Sequence, residues 1–345
     1  MSEQTGRVAA PRWVGGRGRI ALAGLLTVLV LMMTGVGLVW IPYKGYEEPK
    51  RIVHVSRGTS IQALGRQLRR EGLILSSHAF RALIWLEGPH ATVKAGEYEF
   101  HEAVNLAAVA RHLLEGRVLQ YQITVPEGLT AREVAALLAS KGVLDEEEVV
   151  QAARRTEWIA DLDPGALDLE GYLFPDTYRF ARGSSAEEVV RTMVKRFREV
   201  FAEPWRQRAA ELGMTPREIV TLASLVEKET GAPEERPTIS AVFHNRLQLR
   251  MRLQCDPTVI YALEREGRYR GALSRRDLAF PSPYNTYVAA ALPPGPIASP
   301  GSAALEASLY PADVEYLYFV SMNTGRHFFS RHLVDHQAAV QRYQR

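Results

Sequence analysis

From residue 20 to residue 41 the chain reads IALAGLLTVLVLMMTGVGLVWI, twenty-two positions without a charged side chain. As a helix at 1.5 Å per residue that run is roughly 33 Å long, enough to cross the hydrocarbon core of a bilayer. A cleaved signal peptide has a shorter apolar stretch, about 7–15 residues, followed by a small-residue cleavage site. Here the run ends instead in Trp40, Ile41, Pro42 and Tyr43, an aromatic interfacial edge. The reading is a short tail (1–19) and an uncleaved single-pass anchor in a lipid bilayer (20–41). The tail carries Arg7, Arg12, Arg17 and Arg19 against Glu3 alone, which accounts for the whole formal charge of +3. By the positive-inside rule the tail is cytoplasmic and everything beyond about residue 44 lies outside.

The exported part is electrically balanced, and a neutral body in that location argues against nucleic acid as a partner. The single cysteine, Cys255, excludes an internal disulfide framework and any multi-thiolate zinc site. The nine histidines form no ligand-spaced cluster and no H-E-x-x-H, so a metalloprotease is disfavoured and no metal site is expected. At 46% apolar and 23% charged the chain is globular rather than disordered.

Two stretches align without a gap at an offset of 70: IVHVSRGTSIQALGRQLRREGLI from Ile52 and QITVPEGLTAREVAALLASKGVL from Gln122. Each reads as a short strand, a glycine turn, and an amphipathic helix stopped by a glycine, with Ser60 or Thr130 as N-cap. Between them KAGEYEF has the alternation of a strand. The first copy resembles a LysM-type wall-binding module; a repeat that merely spaces the rest from the membrane is equally open. The expected organisation is LysM-like α/β modules over 50–145 and an α+β catalytic domain over 146–345. Within the latter, the proline- and glycine-dense segment 281–300 reads as an ordered loop, since Tyr284, Tyr287, Leu292 and Ile297 are too large and apolar for a linker.

A helix is expected to start at Thr215, with Pro216 at its first position and Glu218 completing a capping box. Taking about 100° per residue from Val220, Leu222, Leu225 and Val226 fall at about 200°, 140° and 240°. Glu229 falls at about 180°, inside that apolar stripe, and Glu227 at about 340°, outside it. A carboxyl on a core-facing side is either paired or held neutral, because an isolated buried carboxylate is too costly. Held neutral it is a general acid; paired, for example with Arg246 or Arg252, it is an ordinary buried ion pair. Helical spacing does not separate the two.

The ordered set EGYLFPDTY, LASLVEKET, FHNRL, MRLQCDPTVIYAL, SPYNTY and LPPGPIASPG, behind one N-terminal span, resembles the MltG/YceG family of endolytic murein transglycosylases. The resemblance covers nearly the whole chain. It implies a bacterial inner-membrane enzyme whose exported domain cuts nascent peptidoglycan glycan strands internally, without cofactor, and meets cell-wall synthases or division proteins. It also implies that the catalytic glutamate is Glu229, in the E-K-E-T motif. Where the family commonly has threonine before D-P-T-V this chain has Cys255, from which no effect on the chemistry is expected.

A lytic transglycosylase lets the muramoyl C6 hydroxyl attack its own anomeric carbon, so one acid suffices where glycosidases use two carboxylates. Candidates for holding sugar hydroxyls and amides are Asn245, Gln254, Asp256, Thr258, Tyr284, Asn285 and Tyr287. Asp256 also suits a helix cap and Asn285 a turn. Tyr172, Phe174 and Tyr178 read as core more readily than as sugar-stacking rings. Two rivals remain open: a non-catalytic wall-binding scaffold, and a hydrolase pairing Glu229 with Asp176 or Asp256.

Overall fold

The computed structural model describes residues 16–88, 91–229 and 231–344, apart from the side chains at 16–19, 21, 31 and 38. Most of the arginine-bearing tail lies outside these residues. The chain divides into two compact units, Met1–Leu119 and Gln120–Arg345.

The first unit begins with helix α1 (Gly16–Trp40), 25 residues long, on which Ile20, Leu22, Leu25, Leu26, Met32 and Met33 are exposed. Among the described residues, no helix is long and apolar enough to cross a membrane. Strand β1 (Arg51–Val55), helices α2 (Ile61–Arg70) and α3 (Ser77–Leu86), strand β2 (Gly96–Phe100) and helix α4 (Leu106–Leu114) come next. β1 and β2 pair antiparallel, Val53 opposite Tyr98. The strand expected at KAGEYEF is β2. Val53, Leu64, Leu68, Phe80, Tyr98, Val109 and Leu113 form the core.

In the second unit come β3 (Gln120–Thr124), α5 (Ala131–Ser140), α6 (Glu146–Ala152), β4 (Thr177–Ala181), α7 (Ala186–Val200) and α8 (Glu203–Glu211). After them come α9 (Pro216–Glu229), α10 (Arg236–Gln248), α11 (Asp256–Arg265) and α12 (Ser302–Leu309). The hairpin β5 (Tyr318–Ser321) and β6 (His327–Ser330) and helix α13 (Leu333–Tyr343) complete an α+β arrangement in which every sheet is two-stranded and antiparallel.

The repeat is real at the level of local structure. Ser60 accepts from Ala63 N and Thr130 from Glu133 N, and Gly72 and Gly142 take positive φ just beyond the helix ends. The copies differ in what they pair with. β1 finds its partner within the first unit, whereas β3 pairs with β4, and Ile123, Val125, Val134 and Leu138 enter the same core as α7, α9 and α11. The division therefore falls at 119/120, where the sequence suggested 145: the second copy is part of the larger unit's core.

Segment 293–300 is ordered and buried rather than a linker, Pro294 alone being partly exposed. Its approach is close at Gly171, where φ is +82° and an added Cβ would lie 2.5 Å from Pro296, so only glycine fits. Tyr172, Phe174 and Tyr178 are buried in the core, as expected.

Candidate active site

α9 starts as the sequence dictates. Thr215 N donates to Glu218 Oε2 at 2.7 Å and Glu218 N to Thr215 Oγ1 at 3.3 Å. Beyond its first turn the helix departs from expectation: all eight residues Ile219–Val226 are buried, so α9 has no solvent face there. The side anticipated as exposed is covered by the segment that ends at Gly301. Ser224 accepts from Ile297 N at 3.1 Å and Glu227 from Gly301 N at 2.9 Å. The azimuth argument consequently does not separate Glu227 from Glu229, since neither is exposed.

Their surroundings separate them. The Glu227 side chain is 6% exposed and lies 3.1 Å from the Arg236 guanidinium, so it is a paired structural carboxylate. Glu127, from the loop before α5, shares that guanidinium at 3.7 Å, and burial beside Glu227 raises its pKa. Glu229 makes no ion pair among the described residues. It is the last residue of α9, at the negative end of the helix dipole, and half-buried. Burial pushes its carboxyl up to about 7, and Asp256 adds to the rise. A hydrogen bond from Cys255 and the more distant charges of His327 and Arg246 oppose it. A glutamic acid neutral near pH 7 is able to donate its proton.

Arg246, considered above as a partner for Glu229, is committed elsewhere. Nε donates to Leu317 O at 2.6 Å and Nη1 to Arg252 O and Leu253 O at 3.2 and 2.7 Å, with the guanidinium over the Tyr318 ring. The arginine knits the β5 approach to the loop before α11. It acts on Glu229 through space and is held below its ordinary pKa by burial.

The other sequence candidates divide. Gln254, Asp256 and Tyr287 surround the start of α11 beside Cys255. Gln254 is exposed at φ +53°, in the left-handed region that glutamine seldom adopts. Tyr287 donates to Asp256 Oδ1 at 2.5 Å. Four candidates are instead internal ties. Thr258 is fully buried and bonded to Cys255 O and Thr286. Asn285, equally buried, gives its amide to Leu278 O and Phe280 O and accepts from Tyr287 N. Asn245 spends its amide on Val314 O and Tyr316 O. Tyr284 is buried beside Tyr261 and the Arg265 guanidinium, away from Glu229. Each of these side chains makes at least one bond within the protein and so has a structural part to play there. Asp176 is bonded to Arg196 at 2.6 Å on the surface and is not a partner of Glu229.

A second neutral carboxyl, Glu170, is pushed up to about 8 by burial beside a cavity of about 510 Å³. Its two oxygens accept from Ala131 N and Tyr261 OH, so it ties α5 to α11. Two influences on Glu229 were not anticipated: the Cys255 thiol, and the more distant charge of His327, whose partner Glu235 is 92 positions away in sequence. No group of residues able to hold a metal occurs among the described residues.

Residues 53–342 match the model of the YceG-like family. A Bacillus subtilis (strain 168) protein named endolytic murein transglycosylase is 31% identical over 307 residues, covering 84% of each chain. A Streptococcus pneumoniae serotype 2 protein of the same name is 29% identical over 319 residues, covering 84% of this chain and 57% of its own. The 2.6 Å crystal structure of a yceG-like protein from Listeria monocytogenes superposes with a TM-score of 0.57 at 32% identity, covering 85% of this chain and 99% of that one.

Proposed function

Because the chain belongs to the YceG-like family, we propose that it is a membrane-anchored endolytic murein transglycosylase with Glu229 as its catalytic acid. Like the relatives of that name, it acts on peptidoglycan. The observation that carries the reading is a glutamate without an ion pair among the described residues, its carboxyl pushed up to about 7 by burial, beside Asp256 and Gln254.

The chemistry stems from that proton. Glu229 delivers it to the oxygen linking N-acetylmuramic acid to the next N-acetylglucosamine, and positive charge develops at C1 as the bond breaks. The C6 hydroxyl of the same muramoyl residue closes on C1, giving a 1,6-anhydro end and using no water. The proton that this hydroxyl sheds returns to Glu229 and resets the acid. Gln254, Asp256 and Tyr287 are the polar groups placed to hold the sugars. The loss of Arg246 as a partner for Glu229 weakens the scaffold reading, and the Tyr287 bond to Asp256 occupies one oxygen that a second catalytic carboxylate needs.

The anchor is part of the same proposal. Its support is the uncharged run 20–41, the 25-residue extent of α1, and the exposure of large apolar side chains along it. With the arginine-rich tail inside, everything beyond about residue 44 lies on the outer face of the bacterial cytoplasmic membrane. There the enzyme meets nascent strands and the synthases that extend them. The strand–helix–helix–strand order of β1, α2, α3 and β2 supports a LysM-like, glycan-gripping role for the first unit.

Digestion of purified sacculi coupled to mass spectrometry tests the reading. Anhydro-muramoyl ends are expected. Reducing ends would establish a hydrolase working with Asp256, and absence of any cleavage would leave the scaffold.

A further inference from the structure

The join between α1 and the rest of the first unit is short and tied down. Only Ile41 and Pro42 separate the helix end at Trp40 from Tyr43, whose N–H donates to Val104 O at 3.0 Å. Val104 N–H returns the bond to Tyr43 O at 3.3 Å. Two residues on, Gly45 N donates to Gly72 O at 2.8 Å, and the buried Tyr46 donates its hydroxyl to Phe100 O at 3.2 Å. Val39, still inside α1, packs against the core that holds Val53, Leu64 and Tyr98. The last turn of the helix is therefore part of the unit's packing, and no flexible linker intervenes.

Beside that turn lies the end of α3. Val39 and Trp40 share a cavity of about 470 Å³ with Leu83 and Glu87, and Arg111 of α4 lines it as well. Trp85 and Leu86 stand between Leu83 and Glu87 in sequence, and they are 79% and 72% exposed, matching Ile20 and Met33 of α1 at 75% and 74%. Single exposed apolar side chains are ordinary. A tryptophan and a leucine in succession, on the turn that meets the exposed Trp40, are instead the mark of a surface with a partner. Around them the exposed Arg81 and Arg111 are offset by Glu87 and Glu115, so apolar burial rather than charge is what this end offers.

We propose that Trp85 and Leu86 enter the interfacial layer of the phospholipid bilayer beside Trp40, so that the first unit is held on the membrane at two points. This rests on the reading of α1 as a membrane anchor. With Trp40 at headgroup level, the rigid join keeps the end of α3 at a similar depth. There an indole ring is favoured for its amphipathic character, and a leucine side chain is taken out of water. The first unit then lies against the surface at a fixed tilt instead of standing on the helix alone.

The test uses the full chain in phosphatidylcholine bilayers, with a nitroxide label on one introduced cysteine at a time: Trp85→Cys, Leu86→Cys and Val30→Cys. The native Cys255 is buried and all three positions are exposed, so labelling is confined to them and the core is untouched. Collisions of each label with oxygen, which concentrates in the bilayer, are compared with collisions with a water-soluble nickel chelate. Oxygen is expected to dominate at 30, in the middle of the uncharged run, and to exceed the chelate several-fold at 85, at 86 or at both. Chelate collisions dominating at both 85 and 86, with oxygen dominating at 30, would overturn the proposal. Immobilisation of those water-exposed labels by added glycan strands would overturn it too, and would give the patch to the wall polymer. Chelate collisions dominating at 30 overturn the anchor reading itself, a separate outcome.

Discussion

The Cys255 thiol, at a position only 1% exposed, adjoins the Glu229 carboxyl and opposes the rise in its pKa. Burial, together with the adjacent carboxyl, holds that thiol well above its ordinary pKa, so it stays protonated and able to donate. The expectation that cysteine in place of the family's threonine is without effect is open to test at this contact. A thiol is a weak donor and a hydroxyl a stronger one. In Cys255→Thr the carboxylate is therefore better stabilised, and the alkaline limb of kcat/KM moves to lower pH. Cys255→Ala moves it the other way. Identical limbs in all three enzymes would show that the contact does not tune the acid.

Glu229 also links stability to pH. Its pKa is raised on folding from 4.5 to about 7. Such a group favours the folded state fully below about pH 4.5 and loses that contribution as pH rises to about 7. Glu229→Gln removes the dependence. Thermal melts should show the variant gaining on wild type across that window, by up to about 3 kcal/mol above pH 7. A constant gap between the two would contradict the burial of this carboxyl.

Glu227 and Glu229 should part company on substitution. Glu229→Gln is expected to fold and to lose anhydro-product formation by about 10²-fold or more. Glu227→Gln keeps an acceptor for Gly301 N but breaks the pair with Arg236. Arg236→Ala leaves Glu227 buried and unpaired and should cost about 3 kcal/mol or more. Denaturant titration measures the second effect and product analysis the first. Loss of catalysis in a well-folded Glu227→Gln with activity kept in Glu229→Gln would reverse the assignment.

At Gln254 stability and binding should move in opposite directions. The left-handed backbone disfavours glutamine by about 1 kcal/mol and suits glycine, so Gln254→Gly should be as stable as wild type or slightly more so. It also loses the exposed amide beside the acid, and KM for glycan strands should rise several-fold. An unchanged KM would remove Gln254 from the substrate contacts.

Much of the fold was legible from local chemistry. Ser60, Thr130 and Thr215 cap their helices as their spacing required, and KAGEYEF forms its strand. Periodicity failed at α9, because a stripe presumes one solvent face. The segment covering the other face is rich in proline and glycine and carries no period. The internal bonds of Thr258, Asn285 and Asn245 were hidden for a related reason: a polar side chain that ties a loop and one that meets a ligand look alike in sequence. His327 was invisible because nothing in a lone histidine points to a carboxylate 92 positions away.

The unequal fate of the two repeat copies bears on how this gene can be rearranged. A recombination break at 119/120 keeps each antiparallel strand pair on one product, so the leading unit is exchangeable as a cassette. A break at the apparent end of the repeat, near 145, parts β3 from β4 and exposes core residues on both fragments. The second copy is thereby inseparable from the larger unit, whereas the first can be replaced without cutting into that unit's core.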